Sequence, residues 1–409
     1  PPSPPSPPLV GSSTAALPME IEPVAEPTAD ETDAIYALAK PKGGQDRSFQ
    51  RDAIRRICAY QGISLVKAPP GCGKTTIFIA VIGKLITKIH ATRHAVQGNA
   101  TPRLAFLTAP YIDHAKQILD RLKGVLSKEF GQCWREVVEF VGDNNLPTLD
   151  ELKAKVRAGR VRVFVSTDKS ASLLLPLAEY ADRLGHPLLC VKDEVHYNSE
   201  HDSDSTKLLL LANESKGDYA IACTATPNAD VMNLPDLQIA LDFPLQEAID
   251  RGFCAPYEVI LPLITELGDD EQLPIEARKL AKRDRLGACA LFCVGGMLRD
   301  GKRRCIAYAS DKTAAGNLKG FLEEACAFHG ADCEAVVITE DTNNREPLYA
   351  DFQTGETHTR IFGGRDRLDL GKSKLHFLIG VKILDQCIDI PATDSILFSS
   401  PPTTRGVVE

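Results

Sequence analysis

Between residues 63 and 85 the chain passes from a short apolar run, Ile63-Ser-Leu-Val66, through Ala68-Pro-Pro-Gly-Cys-Gly-Lys-Thr-Thr76 into the helical pattern Ile77-Phe-Ile-Ala-Val-Ile-Gly-Lys-Leu85. A glycine turn that closes a buried strand and opens a helix constrains the fold to an α/β parallel sheet with an anion site at the helix N-terminus. Gly71 and Gly73 free the backbone, Cys72 included, to aim N–H groups at phosphate oxygens. Lys74 has the reach for the β and γ phosphates, Thr75 offers a hydroxyl to Mg²⁺, and Thr76 follows it into the helix. The expected ligand is a nucleoside triphosphate with Mg²⁺. The match is to A-x-x-G-x-G-K-T, with Ala68 at the first glycine of the general pattern, and an ordinary loop ending in Gly-Lys-Thr is the alternative.

A second apolar run, Leu188-Leu-Cys-Val191, leads into Lys192-Asp193-Glu194-Val195-His196. Open parallel sheets bind ligands at the carboxyl ends of their strands, which is where these residues fall. Adjacent carboxylates there divide the labour of phosphoryl transfer. Asp193 is expected to hold Mg²⁺ and Glu194 to orient the attacking water, with His196 completing a D-E-x-H box. An acidic strand end without chemistry is the plain reading of the pair alone.

With these boxes in order, the chain resembles a superfamily two helicase or translocase of the DExH type, in its restriction-type and repair-type DNA branch, over about residues 45–400. The resemblance implies ATP as the nucleotide. Arg47-Ser-Phe-Gln50 looks like the family's Q motif, in which Gln50 would pair with adenine. Leu104-Ala-Phe-Leu-Thr-Ala-Pro110 and Val161-Arg-Val-Phe-Val-Ser-Thr167 look like strands whose ends, at Pro110 and Thr167, contact a nucleic-acid backbone in the family. Ala222-Cys-Thr-Ala-Thr-Pro227 is similar to the coupling motif, where Thr224 and Thr226 would link nucleotide state to domain closure. Asp389-Ile-Pro391 resembles the late motif through which a second domain faces the nucleotide, which adds Asp389 to the coupling set.

The sequence departs from the family at Lys192, where an apolar residue is usual, and at Gln386 and Cys387, where an acidic residue and a glycine are usual. The family's last box, a Gln-x-x-Gly-Arg helix, has no counterpart before Glu409. Arg405 lacks its context, so truncation ahead of that arginine is the expectation, and an arginine of this kind is worth about 10³ to 10⁵ in rate. Residues 1–41, rich in Pro, Ser, Ala and acidic groups, are expected to form a disordered tail.

A net charge of −8 gives no generally basic surface. It excludes nothing, because such motors grip phosphates with main-chain N–H groups, hydroxyls and local basic residues. Lys279-Leu-Ala-Lys-Arg-Asp-Arg285 and Arg299-Asp-Gly-Lys-Arg-Arg304 are candidate patches, with solvated faces as the alternative. The 12 cysteines read as reduced thiols of an intracellular protein, and none of their spacings makes two matched zinc pairs. Cys72, in an electropositive loop, is expected to have a lowered pKa and to make nucleotide binding oxidation-sensitive. No apolar run is long enough to span a bilayer.

The expected architecture is therefore α/β, with two tandem RecA-like domains: the tail, a first domain over 42–242, a connector over 243–256 and a partial second domain over 257–409. The expected activity is Mg-ATP-driven stepping on nucleic acid, with DNA favoured over RNA. The alternatives are the motor subunit of a restriction or remodelling complex, or an ATP-gated nucleic-acid clamp that hydrolyses poorly.

Overall fold

The structure, a computed structural model, describes residues 29–40, 46–95, 103–142, 146–197, 199, 203–214, 218–256, 258, 279–280, 284–339, 341–342, 346–354, 374–381 and 393–399. Two parallel sheets carry the chain, each flanked by helices.

The first unit runs α1 (Ala29–Ala39), α2 (Ser48–Ala59), β1 (Ile63–Lys67), α3 (Lys74–Ala95), β2 (Leu104–Ala109), α4 (Ile112–Phe130), α5 (Trp134–Val137) and β3 (Val138–Val141). It continues through α6 (Leu149–Ala158), β4 (Val163–Thr167), α7 (Ala171–Arg183), β5 (Leu188–Lys192), α8 (Asp204–Glu214), β6 (Tyr219–Thr224), α9 (Ala229–Met232), β7 (Leu237–Asp242) and α10 (Leu245–Asp250). Its seven strands lie in the order β3-β4-β2-β5-β6-β1-β7, all parallel.

Parallel sheets need both faces covered, and their central strands are correspondingly apolar throughout. β2, β4, β5 and β6 are buried along their whole length. One face packs under α2, α3 and α4 through residues such as Ile54, Ile77, Val81 and Leu122, and the other under α6, α7 and α8 through Leu152, Leu177 and Leu208. Local signals agree with these elements. α2 buries Phe49, Gln50, Ala53, Ile54, Ile57 and Cys58 at helical spacing. α6 starts in a capping box between Thr148 and Glu151 and stops at Gly159, whose φ of 67° suits a residue without Cβ.

The second unit runs α11 (Arg285–Arg299), β8 (Arg304–Tyr308), α12 (Lys312–Phe328), β9 (Cys333–Ile338), α13 (Glu346–Thr354), β10 (Leu375–Gly380) and β11 (Ser395–Phe398). Its strands are parallel in the order β11-β8-β10-β9. Asp311 caps α12 by accepting from the Ala314 N–H at 2.8 Å.

Two expectations about organisation are corrected. The tail assigned to 1–41 contains α1, which packs beside α2, α3 and α4 with Thr32 and Tyr36 buried. The Tyr36 hydroxyl accepts from the Arg47 N–H at 3.0 Å, and Arg51 reaches both the Tyr36 ring and Asp33, which ties α1 to α2. The connector assigned to 243–256 is largely part of the first core. Phe243 N–H bonds the Lys67 carbonyl, Ala248 is fully buried, and Phe243 and Phe253 both pack on Phe49.

Asp389, Gln386, Cys387 and Arg405 lie outside the described residues, as does residues 1–28 of the expected tail. Among the described residues no group of three or more His, Cys, Asp or Glu could hold a metal ion, and no helix is long and apolar enough to cross a membrane.

Candidate functional site

Because β1, β2, β4, β5 and β6 are parallel, their carboxyl ends share one edge of the first sheet. That edge gathers the phosphate loop, the acidic box and the Thr224–Thr226 motif. The loop after β1 turns at Gly71 and Gly73, with φ of 76° and 83°, both in the left-handed region. Thr76 and Ile77 N–H groups bond the Gly73 carbonyl, closing the first turn of α3. Lys74 is 7% exposed, donates to the Ala68 carbonyl at 3.1 Å and lies 3.4 Å from Glu194 Oε1. Burial works against its ammonium, but Glu194 and Asp193 outweigh burial and hold its pKa above the ordinary lysine value.

β5 delivers the acidic box. The Asp193 N–H bonds the Thr108 carbonyl at the end of β2, and the Val195 N–H bonds the Cys223 carbonyl near the end of β6, so the turn is held by both neighbouring strands. Glu194 has φ 49°, a left-handed conformation that costs a residue with a Cβ roughly 1 kcal/mol and clusters at functional sites. The Asp193 carboxylate supports it by accepting from the Glu194 N–H at 3.0 Å.

The two carboxylates sit in different fields. Burial pushes Asp193 up, but the His114 hydrogen bond, with the charges of His114 and Lys74, brings its pKa below the usual value. Burial raises Glu194, with Lys74 opposing and Asp193 reinforcing the rise. A carboxylate tuned down beside one tuned up is the pattern by which neighbouring acids take separate roles.

His196 stands where expected and joins the box to the coupling motif. Its Nδ1 lies 2.7 Å from Thr224 Oγ1, which also accepts from the Thr226 N–H at 3.0 Å. The Ala68 N–H completes the link by bonding the Thr224 carbonyl. Burial, then Lys74, pushes the His196 pKa down to about 4. The ring is neutral near pH 7, and its 3.5 Å approach to Glu194 is a polar contact rather than an ion pair.

Four expected residues behave differently from their sequence reading. Gln50 is 3% exposed and its Nε2 donates to the Cys72 carbonyl at 2.7 Å and reaches the Gly73 carbonyl at 3.4 Å. Its amide donors brace the phosphate loop rather than standing free for a base. A Cβ at Gly73 would lie 2.2 Å from that nitrogen, so the brace also requires glycine there. Cys72 is corrected outright: burial, then a hydrogen bond with Cys254, pushes its pKa up to about 12. Pro110 and Thr167 lie on the same strand-end edge but are buried, and the Thr167 hydroxyl donates to Ser170 Oγ at 3.2 Å. Any contact to a ligand there falls to the main chain or to exposed neighbours such as Lys169. Thr75, beside Lys74, is half-buried.

Sequence reasoning missed His114. It sits in the first turn of α4, 8% exposed, with Nε2 3.1 Å from Asp193 Oδ2. A polar residue amid the helix's buried positions Ala115 and Ile118 is the signal that could have marked it.

Sequence comparison identifies the frame of this site. The DEAD/DEAH box helicase family model matches residues 47–234. Every residue of the phosphate loop, the acidic box and the Thr224–Thr226 motif lies inside it. No curated protein matches the chain by sequence. Among solved structures, a fragment of an HsdR subunit of a type I restriction enzyme from Vibrio vulnificus aligns with a TM-score of 0.53 at 16% identity, over 92% of this chain and 61% of that one. Mss116p bound to single-stranded RNA and AMP-PNP aligns with a TM-score of 0.51 at 14% identity, over 87% of this chain and 64% of that one. At such identities the likeness is one of fold, and the fold it supports is the tandem RecA-like arrangement of two parallel sheets.

Proposed function

We propose that the chain is an ATP-driven nucleic-acid helicase or translocase, and that DNA is its track. The observation that carries the nucleotide half is the convergence of a buried Lys74, two left-handed glycines and the Asp193–Glu194 pair, with Lys74 Nζ 3.4 Å from Glu194. This donor set suits Mg-ATP: N–H groups and an ammonium for phosphate, and a hydroxyl and a carboxylate for a hard cation. Thr75 and Asp193 would hold the ion. Mg²⁺, when bound, neutralises phosphate charge. Lys74 adds a fixed positive charge from a site that excludes water, where it acts more strongly than in solvent. Glu194, raised in pKa and fixed in a strained turn, orients a water molecule and accepts its proton.

Coupling follows the hydrogen bonds. A shift of the 193–197 turn moves His196 against Thr224, and Thr224 bonds both Thr226 and the phosphate loop through Ala68. DNA is preferred on the resemblance of the sequence to the restriction-type and repair-type branch of translocases. The HsdR likeness agrees in fold.

The test is steady-state ATP hydrolysis by the chain with duplex DNA, single-stranded DNA or RNA, beside Lys74→Ala. DNA-stimulated turnover absent from Lys74→Ala is expected. Stimulation by RNA alone would reassign the track. Lys74-dependent ATP binding without turnover would instead favour a nucleic-acid clamp, and equal activity of the variant would sink the site.

A further inference from the structure

Cys72 lies in the middle of the phosphate loop, yet its side chain is fully buried. What it meets there is a second sulfur. Cys254 Sγ is 3.6 Å from Cys72 Sγ, across 182 positions of sequence. Cys254 Sγ also lies 3.6 Å from the Pro70 carbonyl, so it contacts the loop on both sides of Gly71.

The two partners differ in access. Cys72 is sealed, whereas Cys254 is half-buried at the surface of the turn that follows α10. That turn is well held: the Phe253 and Cys254 N–H groups both bond the Ala248 carbonyl, and Phe253 packs edge-on against Phe49. The loop is the softer side, since glycines with positive φ flank Cys72.

We propose that Cys72 and Cys254 form a thiol modification site that takes a low-molecular-weight disulfide, and that the resulting cross-link between the phosphate loop and the 251–254 turn switches nucleotide binding off. The chemistry balances with oxidised glutathione as the oxidant. The Cys254 thiolate attacks one glutathione sulfur, breaking that S–S bond, forming a mixed disulfide and releasing one glutathione thiolate. Cys72 then gives up its proton and attacks the Cys254 sulfur, releasing the second glutathione. Two protein thiols are oxidised to one disulfide, and one glutathione disulfide is reduced to two thiols. Burial holds Cys72 largely protonated, which makes the second step the slow one.

Bond formation requires the sulfurs to close from 3.6 Å to about 2.05 Å. The loop supplies most of that movement. It does so at the segment whose N–H groups face phosphate and whose Cys72 carbonyl is braced by Gln50. Displacements on the order of 1 Å in a positioned site can cost about 10²-fold, so a loss of at least about 10-fold in nucleotide affinity is expected.

The inference rests on the nucleotide reading of the loop, and the experiment separates the two. The full chain and Cys254→Ser are incubated with excess oxidised glutathione, quenched with an alkylating agent and split. One half is mapped for disulfide-linked peptides by mass spectrometry, and the other is titrated with a fluorescent ATP analogue and Mg²⁺ before and after dithiothreitol. The expected result is a Cys72–Cys254 linked peptide with at least about 10-fold weaker binding that dithiothreitol restores. Reduced Cys254→Ser should bind like the parent and resist the oxidant.

Absence of the linked peptide overturns the pair. A linked peptide with affinity changed less than about two-fold overturns the switch. Failure of the reduced parent to bind the analogue counts against the nucleotide reading, while the peptide map still decides whether the thiols pair.

Discussion

Asp218 stands just ahead of β6, at the end of the first sheet opposite the candidate site, and is 2% exposed. Its Oδ1 accepts from the Leu188 N–H at 2.7 Å, and Arg103, stacked 4.8 Å over Tyr219, donates to the Leu188 carbonyl nearby. Burial drives its carboxyl from 3.8 up to about 7, with the Leu188 N–H and Arg103 pulling back. The folded state therefore binds a proton that the unfolded state releases, and stability falls as pH rises from 3.8 to about 7 and is level above that. At about 1.4 kcal/mol per pH step, the cost is about 1.6 kcal/mol at pH 5 and about 4.4 kcal/mol at pH 8.

Asp218→Asn keeps an oxygen for Leu188 and removes the titration. Arg103 is charged at both pH values, so its lost attraction cancels from the comparison. The stability difference between variant and parent should grow by about 3 kcal/mol, in favour of the variant, from pH 5 to pH 8. Urea unfolding followed by tryptophan fluorescence measures it, because the chain's single tryptophan, Trp134, packs against the core of the first unit and reports that unit. A difference that stays constant within about 0.5 kcal/mol between the two pH values would refute the buried-carboxyl reasoning.

Three further outcomes are expected. Glu194→Gln should bind ATP like the parent and lose about 10² to 10⁴ in turnover, since it keeps shape and loses the proton acceptor; parent-like turnover would remove Glu194 from its role. Gln50→Ala should weaken ATP and GTP by similar factors of about 10, because its bonds go to the Cys72 and Gly73 carbonyls; a loss confined to ATP would return Gln50 to reading the base. Tyr36→Ala should cost about 3 kcal/mol locally, and hydrogen exchange over residues 29–39 should rise while β5 stays protected; unchanged protection would mean that α1 is held by something other than Tyr36.

Strands β1, β2, β4, β5 and β6 were legible because a buried parallel strand is an apolar run ending at a turn signal, and the chemistry follows immediately at Gly71, Asp193 and Thr224. Helix α1 was not, because Ala29–Ala39 is short, acidic and Ala-rich and continues a Pro-rich stretch, while the burial of Thr32 and Tyr36 depends on helices distant in sequence. Residues 243–256 were assigned as a connector, whereas Phe243, Ala248 and Phe253 seat that segment in the first core. The charge state of Cys72 was read from its sequence neighbour Lys74. The deciding partner, Cys254, is distant in sequence and close only in the fold. His114 was missed for the same reason.

The edge where β1, β5 and β6 end is also where the chain departs most from what folding alone would select. Lys192, Asp193 and Lys74 are 1%, 2% and 7% exposed, positions at which an apolar side chain would avoid a desolvation cost of several kcal/mol per ion. Lys192 donates to Thr206 Oγ1 at 3.0 Å and faces Asp168, and burial pushes its pKa down to about 8. Adjacent to it, Glu194 holds a left-handed φ that glycine would adopt without strain. Two costs of different physical origin, desolvation and backbone strain, thus fall on the consecutive residues 192–194. Elsewhere in the same sheet, β2, β4 and β6 have fully buried apolar positions. Local sequence that disagrees with stability at one place and agrees with it around that place is the pattern expected where a site, rather than the core, set the residues.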